Sequence, residues 1–155
     1  MGEAANTGKG MGQVVAVCVS PGGIPKLPQA WCEVGPDGLV GDGHEHDKHV
    51  KPERAVSLLD LELIEGLRRE GYPLGTGSTG ENVVLRGFGV QSLAPGTRLR
   101  FSGGVVLELT APRKPCFILD AIHPKLKEDI VGRCGYMARV VTGGTIRAGD
   151  EVSVV

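Results

Sequence analysis

Residues 96–110, GTRLRFSGGVVLELT, carry the pattern that decides the fold class. Arg98 and Arg100 alternate with Leu99 and Phe101, which indicates a strand with one wet face and one buried face. A Ser-Gly-Gly triplet follows, and after it comes an apolar run rich in valine and leucine. Together they predict two strands joined in a β-hairpin.

Similar runs recur along the chain between glycine- and proline-rich turns. They predict further strands at 12–20, 30–35, 54–59, 81–87 and 136–155. The clearest helix is DLELIEGLRREG, which we expect Asp60 to cap and Gly71 to stop. CFILDAI and PKLKEDI predict short helical turns. Many short strands, few helices and 25 glycines predict a mainly β fold, a small closed or nearly closed β-barrel with a few short helices.

The 155 residues fit one domain, with a flexible tail at 1–11 and the barrel at 12–155. A net charge of -1 and 4% aromatic residues argue against nucleic-acid or anionic-membrane partners. No apolar run has the length of a signal peptide or a membrane span, so we expect a cytoplasmic protein. The four cysteines are widely spaced, which favours free thiols in a reducing compartment.

A loop rich in histidine precedes the strand at 54–59. His44, His46 and His49 lie close together beside Asp42, and such a set of imidazoles and carboxylates binds divalent metals such as zinc. A solvated polar loop and an anion or substrate contact are the alternatives. A zinc site here would make the protein a zinc-binding or protein-binding adaptor.

Three polar residues near strand starts are candidates for ligand binding. Arg54 at a strand edge offers a planar guanidinium that can bind a phosphate or an oxyanion through two hydrogen bonds. The alternative is an ion pair with Glu53 or Glu81. Glu81 and Asn82 follow the glycine-rich loop at 75–80, where they either contact a ligand or cap the turn by local hydrogen bonds. The local pattern favours the cap.

Cys116 ends the segment LTAPRKPC, directly after two cations and a proline. Arg113 and Lys114 are expected to lower the pKa of the thiol from about 8.5, and the start of a helical turn adds to that effect. An inert buried cysteine is one alternative. Catalysis by a Cys–His pair, with His123 or the His44–His49 group, is another, although no protease or acyltransferase signature surrounds the thiol.

Taken together, four segments resemble the MOSC domain family, the C-terminal domain type of molybdenum-cofactor sulfurases. They are GLVGDGHEHDKH…RAVSLL, GENVVLRG, LTAPRKPC and GRCGYMARVVTGGTIRAGDEV, in register from roughly residue 12 to 155. The resemblance implies a β-barrel. It also implies a molybdenum-cofactor (molybdopterin) protein that binds the cofactor, carries sulfur to it, or uses it as a reductase of N-hydroxylated compounds.

The resemblance further implies the site residues. Cys116 would bear the sulfur or coordinate molybdenum, and the same pocket would be lined by Arg54, Arg113, Asp42, His44, Glu81 and Asn82. Thiolate is a soft ligand that suits molybdenum, and Arg54, Arg113 and Lys114 would clamp the cofactor's phosphate. A persulfide oxidises easily, so we expect a sheltered sulfur.

The longer sulfurases carry a pyridoxal-phosphate domain that releases sulfur from cysteine, and an N-terminal β-barrel. A chain of 155 residues lacks room for them, so we expect no pyridoxal phosphate here. The implied partners are a cysteine desulfurase-type sulfur donor and a molybdoenzyme acceptor. The sequence leaves open whether the protein turns over a substrate.

Overall fold

A computed structural model describes residues 11–43 and 52–155 of the chain. Within these residues the strands are β1 (Met11–Val19), β2 (Leu27–Gln29), β3 (Trp31–Gly35), β4 (Gly38–Leu39), β5 (Val56–Asp60), β6 (Val83–Arg86), β7 (Arg98–Phe101), β8 (Val106–Pro112), β9 (Tyr136–Thr142), β10 (Gly144–Arg147) and β11 (Glu151–Val154). The α-helices are α1 (Leu61–Arg69) and α2 (Leu126–Asp129). Short 3-10 helices span Pro52–Arg54, Val90–Ser92 and Phe117–Ala121.

Seven of these strands close into a barrel, in the order β11, β7, β8, β9, β5, β6 and β1. Pairing of β1 with β11, where Gly12 lies opposite Val152, completes the circle. All of these pairs are antiparallel apart from β5 and β6. A separate sheet of three strands, β10, β3 and β4, packs buried residues such as Cys32 and Ile146 into the same hydrophobic core as the barrel interior. The predicted mainly β barrel is therefore confirmed, and it is closed.

The hairpin predicted at 96–110 is the pair β7 and β8. Leu99 lies opposite Leu107, and both side chains are fully buried. Arg98 faces outward on the same strand, and its Nε lies 2.9 Å from Oε1 of Glu108. The alternation of apolar and charged residues thus sets which face of the hairpin enters the core.

Two hydrophobic cores share the barrel wall. Val17 and Leu58 point into the barrel, whereas the adjacent Cys18 and Leu59 point outward into a second core beneath α1 and α2. Burial of each large apolar side chain stabilises the fold by roughly 1.5–3 kcal/mol. Because both faces of β1 and β5 are covered, apolar residues occupy adjacent positions in these strands and do not strictly alternate with polar ones.

The predicted helix is present, but Asp60 does not cap it. The carboxylate accepts hydrogen bonds from the backbone N–H groups of Val90 at 2.8 Å and Gln91 at 3.1 Å. Asp60 is buried at the end of β5, and this burial raises the pKa of its carboxyl group. The predicted stop is confirmed, since Gly71 has a φ of 106° just beyond the helix.

The predicted helical turns are the 3-10 helix Phe117–Ala121 and α2. The first strand begins at Met11, and the rest of the predicted tail, residues 1–10, lies outside the described residues. No helix in the described ranges is both long enough and apolar enough to cross a membrane.

Candidate functional site

Cys116 lies just beyond the last paired residues of β8. The backbone N–H of Arg113 donates to the carbonyl of Gly135 at 2.8 Å, and the chain then leaves the sheet. Cys116 precedes the 3-10 helix Phe117–Ala121 and is exposed, whereas Cys18, Cys32 and Cys134 are buried. The alternative of an inert buried thiol at position 116 is therefore wrong.

The helical turn after Cys116 is shorter than expected. It has five residues in 3-10 geometry, and the aligned peptide dipoles of so short a segment give little positive field. Positive charge near the sulfur therefore has to come from side chains. Lys114, two residues earlier, is exposed like Cys116.

The guanidinium of Arg113 is held by the glycine-rich loop at 75–80. Its Nη1 donates to Oγ1 of Thr79 at 3.4 Å, and its Nη2 donates to the Thr79 carbonyl. The Arg113 side chain is half-buried. Burial of the Cys134 thiol raises its pKa, and the positive charge of Arg113 partly offsets this rise. Arg113 is thus fixed between this loop and the segment that carries Cys116.

Glu81 is fully buried, and both of its oxygens are occupied. Oε1 accepts from Oγ1 of Thr79 and Oε2 from the N–H of Gly77, each at 2.7 Å. Gly77 has a φ of 84°, and a Cβ there would lie 1.9 Å from the carbonyl oxygen of Lys26. The structure favours the capping alternative, because Glu81 closes the loop that supports Arg113.

Asn82 is also buried and joins separate parts of the fold. Its Oδ1 accepts from the N–H of Ser57 at 3.0 Å and from Oγ of Ser57 at 3.3 Å. Its Nδ2 donates to the carbonyl of Cys18 at 3.1 Å and to Oδ2 of Asp42 at 3.0 Å. The amide therefore connects β1, β5 and the start of β6 to the segment that ends at Gly43.

Asp42 forms an ion pair that sequence reasoning missed. Its Oδ2 lies 2.7 Å from Nζ of Lys26, and its Oδ1 accepts from the N–H of Ser20 at 3.1 Å. The side chains of Lys26 and Asp42 are 14% and 2% exposed, so the charges are withdrawn from water. No local pattern marks Lys26, because only the fold brings residues 26 and 42 together.

Arg54 is an exposed cation beside β8. It ends the 3-10 helix Pro52–Arg54, and the carbonyl of Glu53 in that helix accepts from Oγ1 of Thr110 at 2.6 Å. Within residues 11–43 and 52–155, Arg54 forms no ion pair, so neither Glu53 nor Glu81 neutralises it. An exposed guanidinium of this kind can bind an anion through paired hydrogen bonds.

The histidine loop cannot be assessed in the same way. His44, His46 and His49 lie outside the described residues, so the zinc site stays a prediction. In the part of the chain that the structure does describe, no three histidine, cysteine or acidic side chains group together to hold a metal.

The candidate residues fall into two tiers. Asp42, Glu81 and Asn82 form the buried polar tier, and Cys116, Lys114 and Arg54 form the exposed tier. Arg113 connects the two. The exposed tier contains one free thiol and two cations, and the described residues do not give Cys116 the shelter that we expected for a persulfide.

Comparison with known proteins agrees with this architecture. The model of the MOSC domain family matches residues 45–153. In fold, the chain is similar to the YUAD protein from Bacillus subtilis, with a TM-score of 0.79 at 17% identity over 93% of this chain and 95% of that one. It is also similar to YiiM from Geobacillus stearothermophilus, with a TM-score of 0.76 at 27% identity over 94% of this chain and 75% of that one.

A curated relative is named Reductase and comes from Gibberella moniliformis. It is 32% identical over 126 residues, which cover 76% of this chain. The chain spans only 22% of the length of that relative. The activity of the whole relative therefore does not transfer directly to this chain.

Proposed function

Because the chain belongs to the MOSC domain family, we propose that it binds the molybdenum cofactor, with Cys116 as the residue that bears sulfur or ligates molybdenum. The family is associated with this cofactor. The observation that carries the proposal is the exposure of Cys116, since the other three cysteines are buried. A thiol that must reach a metal or a second sulfur has to be accessible.

The side chains present fit the cofactor chemically. Thiolate sulfur is a soft ligand of the kind that molybdenum takes, and guanidinium and ammonium groups bind phosphate. Lys114 and Arg54 are exposed and would contact the phosphate, whereas Arg113, held by Thr79, would position the segment before Cys116. When bound, the cofactor would supply two-electron redox chemistry at its metal.

The buried polar tier would hold the site rather than contact the cofactor. Glu81 fixes the loop beneath Arg113, and Asn82 with Asp42 fixes the segment that leads to Gly43. All of these polar atoms are already hydrogen-bonded inside the protein. Rigid support of this kind limits the reorganisation that ligand binding requires.

A sulfur-transfer role would begin with attack on a donor persulfide. The Sγ of Cys116 would bond to the outer sulfur, the donor's S–S bond would break, and the donor would leave as a thiolate. We propose a cysteine desulfurase-type enzyme as this donor and a molybdoenzyme as acceptor. Loading of purified protein by a desulfurase with cysteine, followed by intact-mass measurement, tests the step.

The decisive experiment compares the wild type with Cys116→Ser after expression in cells that make the cofactor. We expect the wild type to retain pterin and molybdenum, or one added sulfur atom on Cys116, and Cys116→Ser to lose them while its melting curve is unchanged. Cys32→Ala is the matched control, since Cys32 is a buried thiol that belongs to neither tier of the candidate site. Full cofactor and sulfur content in Cys116→Ser would overturn the proposal.

A molybdenum-dependent reductase is the second candidate, and the relative named Reductase favours it. The substrates would be N-hydroxylated compounds, with electrons given by an added chemical reductant. We expect activity in cofactor-loaded protein and its loss in cofactor-free protein. Equal activity without molybdenum would exclude this candidate and leave the binding proposal intact.

A further inference from the structure

A cavity of about 330 Å³, whose described lining does not include Cys116, lies where β3 and the residues after β4 meet the end of β1. Its volume is in the range of small-molecule pockets. The residues that matter for its chemistry are Val19, Gln29, Trp31, Glu33 and Val40. None of them belongs to either tier of the candidate site.

The strand geometry brings an aromatic ring and a carboxylate together on one face of β3. Cys32 and Val34 are buried and point inward, so Trp31 and Glu33 share the outward face. They are two residues apart, which separates them by about 7 Å along the strand. The indole is 56% exposed, so its surface is open to a ligand.

The walls beside this face are apolar. Val40 is 62% exposed, and Val19 lies across the cavity at the end of β1. Large apolar side chains that gather around a concave surface mark a place where a ligand displaces water favourably. Gln29 adds one amide that can accept or donate a hydrogen bond.

Among the described residues that line the cavity, the one charged side chain is that of Glu33. Glu33 lines it, whereas Arg147, which lies opposite Trp31 on β10, does not. An indole face and a carboxylate in apolar surroundings attract organic cations, by the ring quadrupole and by a charge-assisted hydrogen bond. An aromatic ring in the ligand would add stacking on the indole.

We propose that this cavity binds a small aromatic cation, with its ring on Trp31 and its cationic group at Glu33. The inference does not depend on the proposed molybdenum function, because no residue of the exposed tier takes part. The cavity wall at Val40 continues to Asp42, whose carboxylate is tied to Lys26 and Asn82. A bound ligand would thus lie beside the buried polar tier.

The test uses Trp31 as its own reporter, because it is the only tryptophan in the chain. Indole fluorescence is followed in cofactor-free protein during titration with benzylamine, and then with benzyl alcohol, benzoate and cyclohexylmethylamine. We expect saturable binding of benzylamine, and binding about tenfold weaker for the analogues that lack the positive charge or the ring. No saturable change with benzylamine, or equal binding of benzoate, overturns the proposal.

Variants then locate the site by calorimetric titration, which does not need the indole. Trp31→Ala and Glu33→Gln are each expected to weaken benzylamine binding about tenfold, with melting curves like that of the wild type. Glu128→Gln, an exposed acid on α2, is the matched control and should bind like the wild type. Unchanged binding in Trp31→Ala and Glu33→Gln, or equal loss in Glu128→Gln, assigns the binding elsewhere and overturns the proposal.

Discussion

The buried polar tier and the exposed tier differ in what their side chains are free to do. Glu81 and Asn82 have their polar atoms occupied by neighbours in the fold, whereas Cys116 and Arg54 face solvent. Both tiers consist of residues that the resemblance to the MOSC domain family marked as one site. The difference shows that the candidate residues include side chains that are fixed within the fold as well as side chains that are exposed and free to contact a ligand.

Thiol reactivity should separate the two tiers most strongly. In the native protein we expect iodoacetamide to modify Cys116 at least about 100-fold faster than Cys18 or Cys134, because only thiolate reacts. Burial raises the pKa of Cys18 to about 12 and also raises the pKa of Cys134. Peptide mass spectrometry after timed labelling measures the rates, with urea-unfolded protein as the control. Comparable rates in the native state would contradict the division.

Removal of the Glu81 carboxylate should cost the most stability. Glu81→Ala leaves the N–H of Gly77 and the hydroxyl of Thr79 without their acceptor in a buried place. We expect a loss of about 2–4 kcal/mol in the free energy of unfolding. Urea titration measures it, and Glu128→Ala on the surface of α2 is the control. A loss no larger than that of the control would mean that Glu81 does not support the fold.

Asn82→Asp should have a smaller effect of the same kind. The change removes the Nδ2 donor and sets a second carboxylate beside Asp42, which is 3.0 Å from Nδ2 in the wild type. We expect a loss of about 1–3 kcal/mol, because the donor is lost and like charges repel. Urea unfolding of Asn82→Asp alone, compared with the double variant Asn82→Asp/Asp42→Asn, tests whether like-charge repulsion contributes to the loss. If the repulsion matters, the second change should restore part of the loss.

The pH dependence from Asp60 should be the smallest effect. Burial raises the pKa of Asp60 in the folded protein above its unfolded value. The stability that its protonation contributes is therefore complete below the unfolded pKa and is lost as pH rises through the folded pKa. We therefore expect the unfolding free energy of the wild type, relative to that of Asp60→Asn, to fall as pH rises across that interval, because Asn does not titrate. A difference that stays constant would contradict the raised pKa.

Local patterns in the sequence were enough for much of the barrel. The alternation of Leu99 with its charged neighbours predicted the β7–β8 hairpin, and the β-branched residues around Cys18 predicted a buried strand. The prediction that the Asp60 side chain caps α1 was wrong. The local sequence before a helix is the same whether the carboxylate accepts a hydrogen bond from that helix or from a turn distant in the chain. In this fold the N–H groups of Val90 and Gln91 lie close enough to donate hydrogen bonds to the Asp60 carboxylate.

By itself the sequence determined most of the strands, the helix, the family and the choice of Cys116 as the candidate residue, because periodicity and motif spacing are local properties; that Cys116 is exposed came only from the structure. The tertiary structure alone decided which of the motif's polar residues are buried, that Lys26 pairs with Asp42, and that Trp31 and Glu33 border a cavity. Burial and ion pairing depend on residues far apart in the chain. Their free energies are therefore set only when the barrel closes.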